Sequence, residues 1–209
     1  VTRSQFYDPT ADDFTRVVRE FADYDTRRRD LLEQRKTLEA QDDEISKRAL
    51  ERLENLQTLG DLPFEALFVA DGGKRLLSVA ALLPFFDIDP GKVRMLGTGQ
   101  WDEPGIGKEP ALIGGWYAAP PPSARIDFDK QYQEIYGNRP PRLVTMAYDA
   151  TALIAVLARQ EGGPVFSEEA LTNPNGFWGR DGVFRLTKAG TAERGLAIMQ
   201  IGFDKNKVI

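Results

Sequence analysis

The sequence predicts an α/β fold built on a parallel sheet, and three observations carry that prediction. Ala66-Leu67-Phe68-Val69-Ala70 is a short apolar run that stops at Asp71-Gly72-Gly73. A helix-like run follows, with Leu76, Leu77, Val79, Ala80, Leu82 and Leu83 on a broad apolar face, and Pro84 and Asp89-Pro90-Gly91 break it. A second apolar run, Val93-Arg94-Met95-Leu96, again ends in glycine at Gly97-Thr98-Gly99. Strand, helix, strand in this order is a βαβ unit, because parallel strands need a crossover that returns the chain to the same end of the sheet. Both runs stop at glycines on one edge, the carboxyl edge where open α/β sheets bind ligands. The stretch therefore reads as a Rossmann-like lobe. Its ligand-facing rim is Asp71, Gly72, Gly73, Thr98, Gly99, Gln100, Trp101 and Asp102.

The remaining elements follow in chain order. Val1–Phe6 is expected to be a strand, and Tyr7-Asp8-Pro9-Thr10 a turn. Asp12 or Asp13 can cap a helix carrying Phe14, Val17, Val18 and Phe21 on one face. From Thr26 to Leu59 the chain is dense in charge, with Leu31, Leu38 and Ile45 seven residues apart and Leu50, Leu53 and Leu56 three apart. Opposite charges three or four apart support exposed helices. Gln41-Asp42-Asp43 breaks the pattern, and Asp42 or Asp43 can cap a second helix. Residues 26–59 are thus expected to form an inserted helical hairpin of two antiparallel helices standing off the lobe. Its apolar stripe either docks a partner or packs on itself and the lobe.

After a Pro- and Gly-rich loop, Ala111–Ala118 is expected to be a third strand and Pro120-Pro121-Pro122 a stiff linker. Ile126–Tyr136 reads as an amphipathic helix. Leu143–Arg159 is almost wholly apolar and reads as a buried helix ended by Glu161-Gly162-Gly163-Pro164. Bare, it would be a liability, so a second copy or a rearranged contact is expected to cover it, giving a homodimer or a lattice interface across Leu143, Ile154 and Leu157. Ser167–Leu171 is a helical turn. The tail is expected to pair Gly182–Leu186 with Leu196–Ile201 through Thr187-Lys188-Ala189-Gly190.

Composition narrows the chemistry. The 209 residues are 42% apolar and 28% charged, with net charge −5, which argues against a nucleic-acid partner. The chain holds no cysteine and no histidine, which excludes Cys or His zinc sites, a cysteine nucleophile and a Ser-His-Asp triad. No cofactor and no metal are expected. Gly97-Thr98-Gly99 begins like a dinucleotide fingerprint but lacks the third glycine and runs into a loop. Gly107-Lys108 resembles the end of a phosphate loop, but Glu109 stands where Ser or Thr would hold magnesium.

Asp71 and Asp102 or Glu103 are the acids near the rim, and no apolar pocket that would raise one pKa is legible, so binding is expected and not catalysis. Asp71 with Trp101 suits a cleft for a small polar ligand; the alternative is a tryptophan packed on the lobe. No apolar run approaches the roughly 20 residues of a membrane span. Val1, beside an apparent strand and without a signal peptide, reads as the start of a fragment or processed form.

A family resemblance rests on Tyr7-Asp8-Pro9-Thr10 with Asp13-Phe14, Ala66 to Gly73, Leu96 to Trp101, Gly114-Gly115-Trp116-Tyr117-Ala118-Ala119-Pro120, Tyr136-Gly137 with Pro140-Pro141, Tyr148-Asp149-Ala150, and Asn173 with Asn175-Gly176-Phe177, Gly179 and Asp181-Gly182. In this order they resemble the type I periplasmic-binding fold, in the branch of branched-chain amino-acid receptors and penicillin-binding-protein activators. The resemblance implies two Rossmann-like lobes joined by three crossings, with ligand between them, and it makes this chain the C-terminal part. Residues 1–119 would belong to the second lobe, 120–165 would be helices returning toward the absent first lobe, and 166–209 a hairpin segment lying back on the second.

It further implies a non-enzymatic, periplasmic solute-binding receptor that takes an amino acid or related small polar ligand and serves an ABC transporter in the membrane. The alternative is a regulator of peptidoglycan synthesis that contacts a cell-wall synthase. Amino-acid receptors of the family set an aromatic and an acidic residue of the second lobe on the ligand's ammonium group. The matching stretches here read Val69-Ala70-Asp71-Gly72 and Gly97-Thr98-Gly99-Gln100, so Asp71 supplies the charge and the aromatic is absent.

Overall fold

The computed structural model describes residues 1–209 except 42 and 142. The chain divides into two compact units, Val1–Tyr117 with Gln200–Lys207, and Ala118–Met199 with Val208–Ile209. Among the described residues, no helix is long and apolar enough to cross a membrane.

The first unit begins without the expected strand. Val1–Phe6 is irregular chain, and among the described residues no backbone–backbone hydrogen bond joins it to another segment. A strand exists only as a paired object whose ladder satisfies its N–H and C=O groups. Helix α1 (Thr15–Phe21) starts beside Asp13, whose carboxylate accepts the Thr15 N–H at 2.8 Å, although Phe14 occupies the capping position itself. Phe14 and Val18 enter the core.

Helices α2 (Tyr24–Glu39) and α3 (Glu44–Leu53) form the expected antiparallel hairpin. Arg35 of α2 donates to Leu53 O and Glu54 O at 2.7 and 2.8 Å, and Arg28, near the start of α2, reaches Gln57 O. Asp43 caps α3 by accepting the N–H groups of Ile45 and Ser46 at 2.9 and 2.8 Å; Asp42 lies outside the described residues. The hairpin does not stand off the lobe. Leu31 is buried, Tyr24 sets its ring edge-on to Phe86, and the buried Arg27 donates to Gly60 O at 2.9 Å and to Asp87 Oδ2 at 2.8 Å. The seven-residue spacing also fails at Ile45, which is exposed in the first turn of α3.

The sheet forms as the βαβ pattern requires. Strand β1 (Ala66–Val69) leads through α4 (Gly73–Leu82) to β2 (Arg94–Gly97), and the two strands pair in parallel with Ala66 opposite Arg94. Strand β3 (Trp116–Ala119) pairs in parallel with β2, Leu96 opposite Trp116. This strand is shorter than expected. Pro110–Leu112 makes a 3-10 turn, with the Glu109 side chain accepting the Ala111 N–H, and Gly114 turns the chain at φ +81°. The apolar side chains Ala111 and Leu112 are buried by that turn and not by a strand.

In the second unit, α5 (Ile126–Tyr136), α6 (Val144–Ala158) and the short α7 (Glu168–Leu171, capped by Ser167) form where the pattern places them. Leu153 and Leu157 of α6 pack with Phe184, flanked by Leu171, Phe177 and Leu186. Helix α6 is buried along one face only. Leu143, Ile154 and Val156 are exposed, whereas Leu157 is buried in its own unit and so leaves the expected interface.

The tail hairpin has a different partner from the expected one. Strand β5 (Gly182–Leu186) pairs antiparallel with β4 (Phe177–Gly179) and with β6 (Ala192–Arg194), Phe184 opposite Arg194. The turn closes at Thr187 and Thr191, which fixes this register. Strand β7 (Ala197–Gln200) returns the chain to the first unit, where Ile201 exchanges backbone hydrogen bonds of 2.9 Å with Gly114 and Gly115. Strand β8 (Lys207–Val208) follows.

Candidate functional site

The rim lies at the carboxyl ends of β1 and β2. Asp71 follows β1 directly and is 8% exposed. Its Oδ2 accepts from Arg75 Nε at 2.8 Å and from the Tyr7 hydroxyl at 2.9 Å, and its Oδ1 accepts the Gly72 N–H at 2.8 Å and Arg75 Nη2 at 3.1 Å. Hydrogen bonds from Arg75, then from the Gly72 N–H and Tyr7, hold the Asp71 carboxyl below the usual carboxylate range. Burial, and after it the hydrogen bond to Asp71, pushes the Tyr7 phenol up to about 12. The Asp71 charge is thus already matched by a bidentate arginine, a pairing stronger and more directional than a neutral hydrogen bond. It holds β1, α4 and the Tyr7 turn together.

Helix α4 opens on Gly72 with no side-chain cap and no acidic residue in its first turn. Gly73 sits at φ +60°, a conformation glycine adopts without strain. The uncapped N–H groups and the helix dipole make this end receptive to negative charge. Thr98 caps the 3-10 turn Gly99–Trp101 by accepting the Gln100 N–H at 3.3 Å. A Cβ at Gly72 would lie 2.8 Å from Gln100 Cβ, so the two loops touch. Asp102 accepts from the Tyr117 hydroxyl at 3.2 Å, and Asn206 donates to that same hydroxyl at 2.8 Å.

Trp101 differs from its neighbours. It is fully buried, and its Nε1 donates to Asp71 O at 3.0 Å. Its ring lies flat under Gly97, where a Cβ would come within 2.0 Å of it. The expectation of a ligand-facing tryptophan is therefore corrected: Trp101 is the floor that ties the end of β1 to the end of β2. Of the other expected rim residues, Gly72 and Gln100 bring the two loops into contact, Asp71 is paired with Arg75 and Tyr7, and Asp102 turns to Tyr117. Tyr7 and Arg75 were missed by sequence reasoning. Arg75 stands four residues after Asp71 at the start of a helix, a spacing that signals the pair; Tyr7, far away in sequence, gave no such signal.

No family model and no curated protein matches the chain. Solved structures do. The fold is that of the type I periplasmic-binding proteins. A putative branched-chain amino acid ABC transporter protein from Rhodospirillum rubrum is similar with a TM-score of 0.57 at 17% identity, over 78% of this chain and 48% of that one. An extracellular ligand binding receptor from Desulfohalobium retbaense gives 0.53 at 20% identity, over 69% and 26%. A leucine binding protein from Thermotoga maritima gives 0.50 at 17% identity, over 69% and 43%. The chain spans less than half the length of these structures.

Proposed function

We propose that this chain is part of a periplasmic solute-binding receptor that works by binding, not catalysis, and serves a membrane transporter. Its ligand is an amino acid or a related small carboxylate, held at the rim of Asp71, Gly72, Gly73, Thr98, Gly99, Gln100 and Asp102. One observation carries this reading: two glycine-rich strand ends meet at the carboxyl edge of a parallel sheet, beside a helix start with no cap of its own. That position is where sheets of this kind bind ligands, and the uncapped helix start favours a carboxylate group.

Because Arg75 already neutralises Asp71, the carboxylate end of the ligand faces this rim and the ammonium end does not. The names of the fold relatives from Rhodospirillum rubrum and Thermotoga maritima agree with an amino-acid ligand. The regulator reading drew on the absent aromatic and on a charged hairpin suited to docking, and the packing of Leu31 and Arg27 on the lobe weakens the second of these supports. A homodimer across α6 would rest on Leu143 and Ile154 without Leu157.

Calorimetric titration with leucine, isoleucine and benzoate tests the proposal. A saturable heat with at least one of them is expected. Gln100→Asp, which sets a negative charge against the helix start, is expected to weaken it about tenfold. No heat with any of the three, or an unchanged affinity in the variant, would remove the rim as the ligand site.

A further inference from the structure

The second unit carries an aromatic side chain that its fold does not use. Trp178 of β4 is 82% exposed, whereas Trp101 is fully buried and Trp116 is half-buried beneath the Arg94 guanidinium. Side chains alternate across a strand. Phe177 and Phe184 therefore turn inward to α6, while Trp178, Val183, Arg185 and Glu193 share the outer face of the three-stranded sheet.

That face is open and electrically neutral. Trp178 stands directly opposite Val183, and the row ends at Gly195, whose N–H donates to Val183 O at 2.9 Å. In the next row Arg185 stands opposite Glu193, with Gly176 on its other side, where a Cβ would lie 3.6 Å from Arg185 Cβ. Trp178 and Arg185 are diagonal neighbours, about 7–8 Å apart. Arg185 donates to Glu193 Oε2 through Nε at 2.9 Å and again through Nη2. Both bonds use one carboxylate oxygen. Among the described residues, Arg185 Nη1 and Glu193 Oε1 have no hydrogen-bond partner, so donors and an acceptor stand side by side beside the indole.

We propose that this face binds a β-linked oligosaccharide of gluco-configured pyranose rings, with one ring stacked on Trp178 and its hydroxyls on Arg185 and Glu193. A pyranose whose hydroxyls are all equatorial shows only C–H groups on its two faces, and such groups settle on the electron-rich face of an aromatic ring. Each hydroxyl both donates and accepts, which a guanidinium beside a free carboxylate oxygen answers. The row from Trp178 over Val183 to Gly195 crosses two strand spacings, about 9–10 Å, and leaves room for a second ring beside the first. Charge and area exclude other occupants. Arg185 and Glu193 cancel, so the face selects neither an anionic lipid surface nor a charged peptide. Its apolar side chains are Trp178 and Val183, far short of the roughly 800 Å² per partner that a stable protein interface buries. The site lies within the second unit and does not depend on the rim.

Nuclear magnetic resonance on the intact chain tests the proposal through the indole N–H signals, that of Trp178 being assigned by its loss in Trp178→Phe. Titration with cellotetraose and with chitotetraose is expected to move the Trp178 signal saturably and to leave the Trp101 signal in place. Sorbitol, which has the hydroxyls without a ring, and cyclohexanol, which has a ring with one hydroxyl, are expected to move neither. By calorimetry, Trp178→Ala is expected to weaken cellotetraose about tenfold or more and Arg185→Ala about fivefold. Both positions are exposed, so both variants are expected to keep the wild-type urea midpoint.

A Trp178 signal unmoved by either oligosaccharide would overturn the proposal, as would an undiminished affinity in Arg185→Ala. Equal movement with cyclohexanol or sorbitol would make the face an unselective surface and overturn it too. A Trp178 signal that moves with protein concentration alone would assign the face to a second copy, with the same consequence.

Discussion

Asp71 in the first unit and Asp149 in the second are both buried, 8% and 3% exposed, yet their charges are met in different ways. Asp71 takes its partners almost entirely from its own neighbourhood: the next backbone N–H and an arginine one helical turn on, with Tyr7 as the one distant donor. Asp149, in the middle of α6, depends on chain far along the sequence. Its Oδ1 accepts the Arg180 N–H at 2.7 Å, and its Oδ2 faces Arg194 Nη1 at 4.0 Å. Among the described residues, neither of those last two atoms has a hydrogen-bond partner. A locally matched charge is satisfied as soon as its helix forms. A remotely matched one is satisfied only when β4, β5 and β6 have docked on α6, so it links the formation of those elements.

The comparison breaks most visibly at Asp149. Asp149→Ala leaves the Arg180 N–H without its acceptor and removes the charge facing the partly exposed Arg194, and is expected to lower stability by about 1–3 kcal/mol in urea unfolding. Gly179→Ala, whose Cβ would fall 2.3 Å from Asp149 Oδ2, is expected to cost about 1–3 kcal/mol by forcing the carboxylate aside. If both variants unfold at the wild-type midpoint, the remote pairing contributes nothing.

The equivalent cut on the other side is smaller. Tyr7→Phe removes one of several donors to Asp71 and is expected to cost about 1 kcal/mol. A loss as large as that of Asp149→Ala would mean that Asp71 is as remotely dependent as its counterpart.

The smallest effect is a pH dependence, and its sign follows from the direction of each shift. The Asp71 carboxyl is held low, so its contribution is present above its ordinary value near 3.8 and is lost as the pH falls below it. The Tyr7 phenol is raised, so its contribution is full below 10.0 and is lost as the pH rises toward about 12. Urea midpoints measured across both limbs are expected to show the alkaline loss vanish in Tyr7→Phe while the acid loss persists, since Arg75 remains.

The two regions also differ in how far the sequence revealed them. The β1–α4–β2 unit was legible because short apolar runs ending in glycine leave few alternatives. The pairing of β5 was not. Leu196–Ile201 is apolar and attracted the assignment, while Ala192-Glu193-Arg194 looks like loop; an edge strand exposed to water needs little apolar content, and the Thr187–Thr191 closure decides its register. Val1–Phe6 misled for the opposite reason: its residues suit a strand, but strand character is conferred by a neighbour. The rim was legible as loops, whereas the role of Trp101 was not, because an aromatic side chain at a strand end serves equally as floor or as contact until its burial is known.

The contact between Trp101 and Gly97 limits how this protein can change over evolutionary time. No residue other than glycine fits at position 97 while the indole is present, because even a methyl group would overlap the ring. Replacing the indole first opens a void under the rim and removes a donor from Asp71 O. Each single step is therefore disfavoured while the other residue stays as it is. The pair forms an epistatic lock, and descendants are expected to keep both residues or to exchange both.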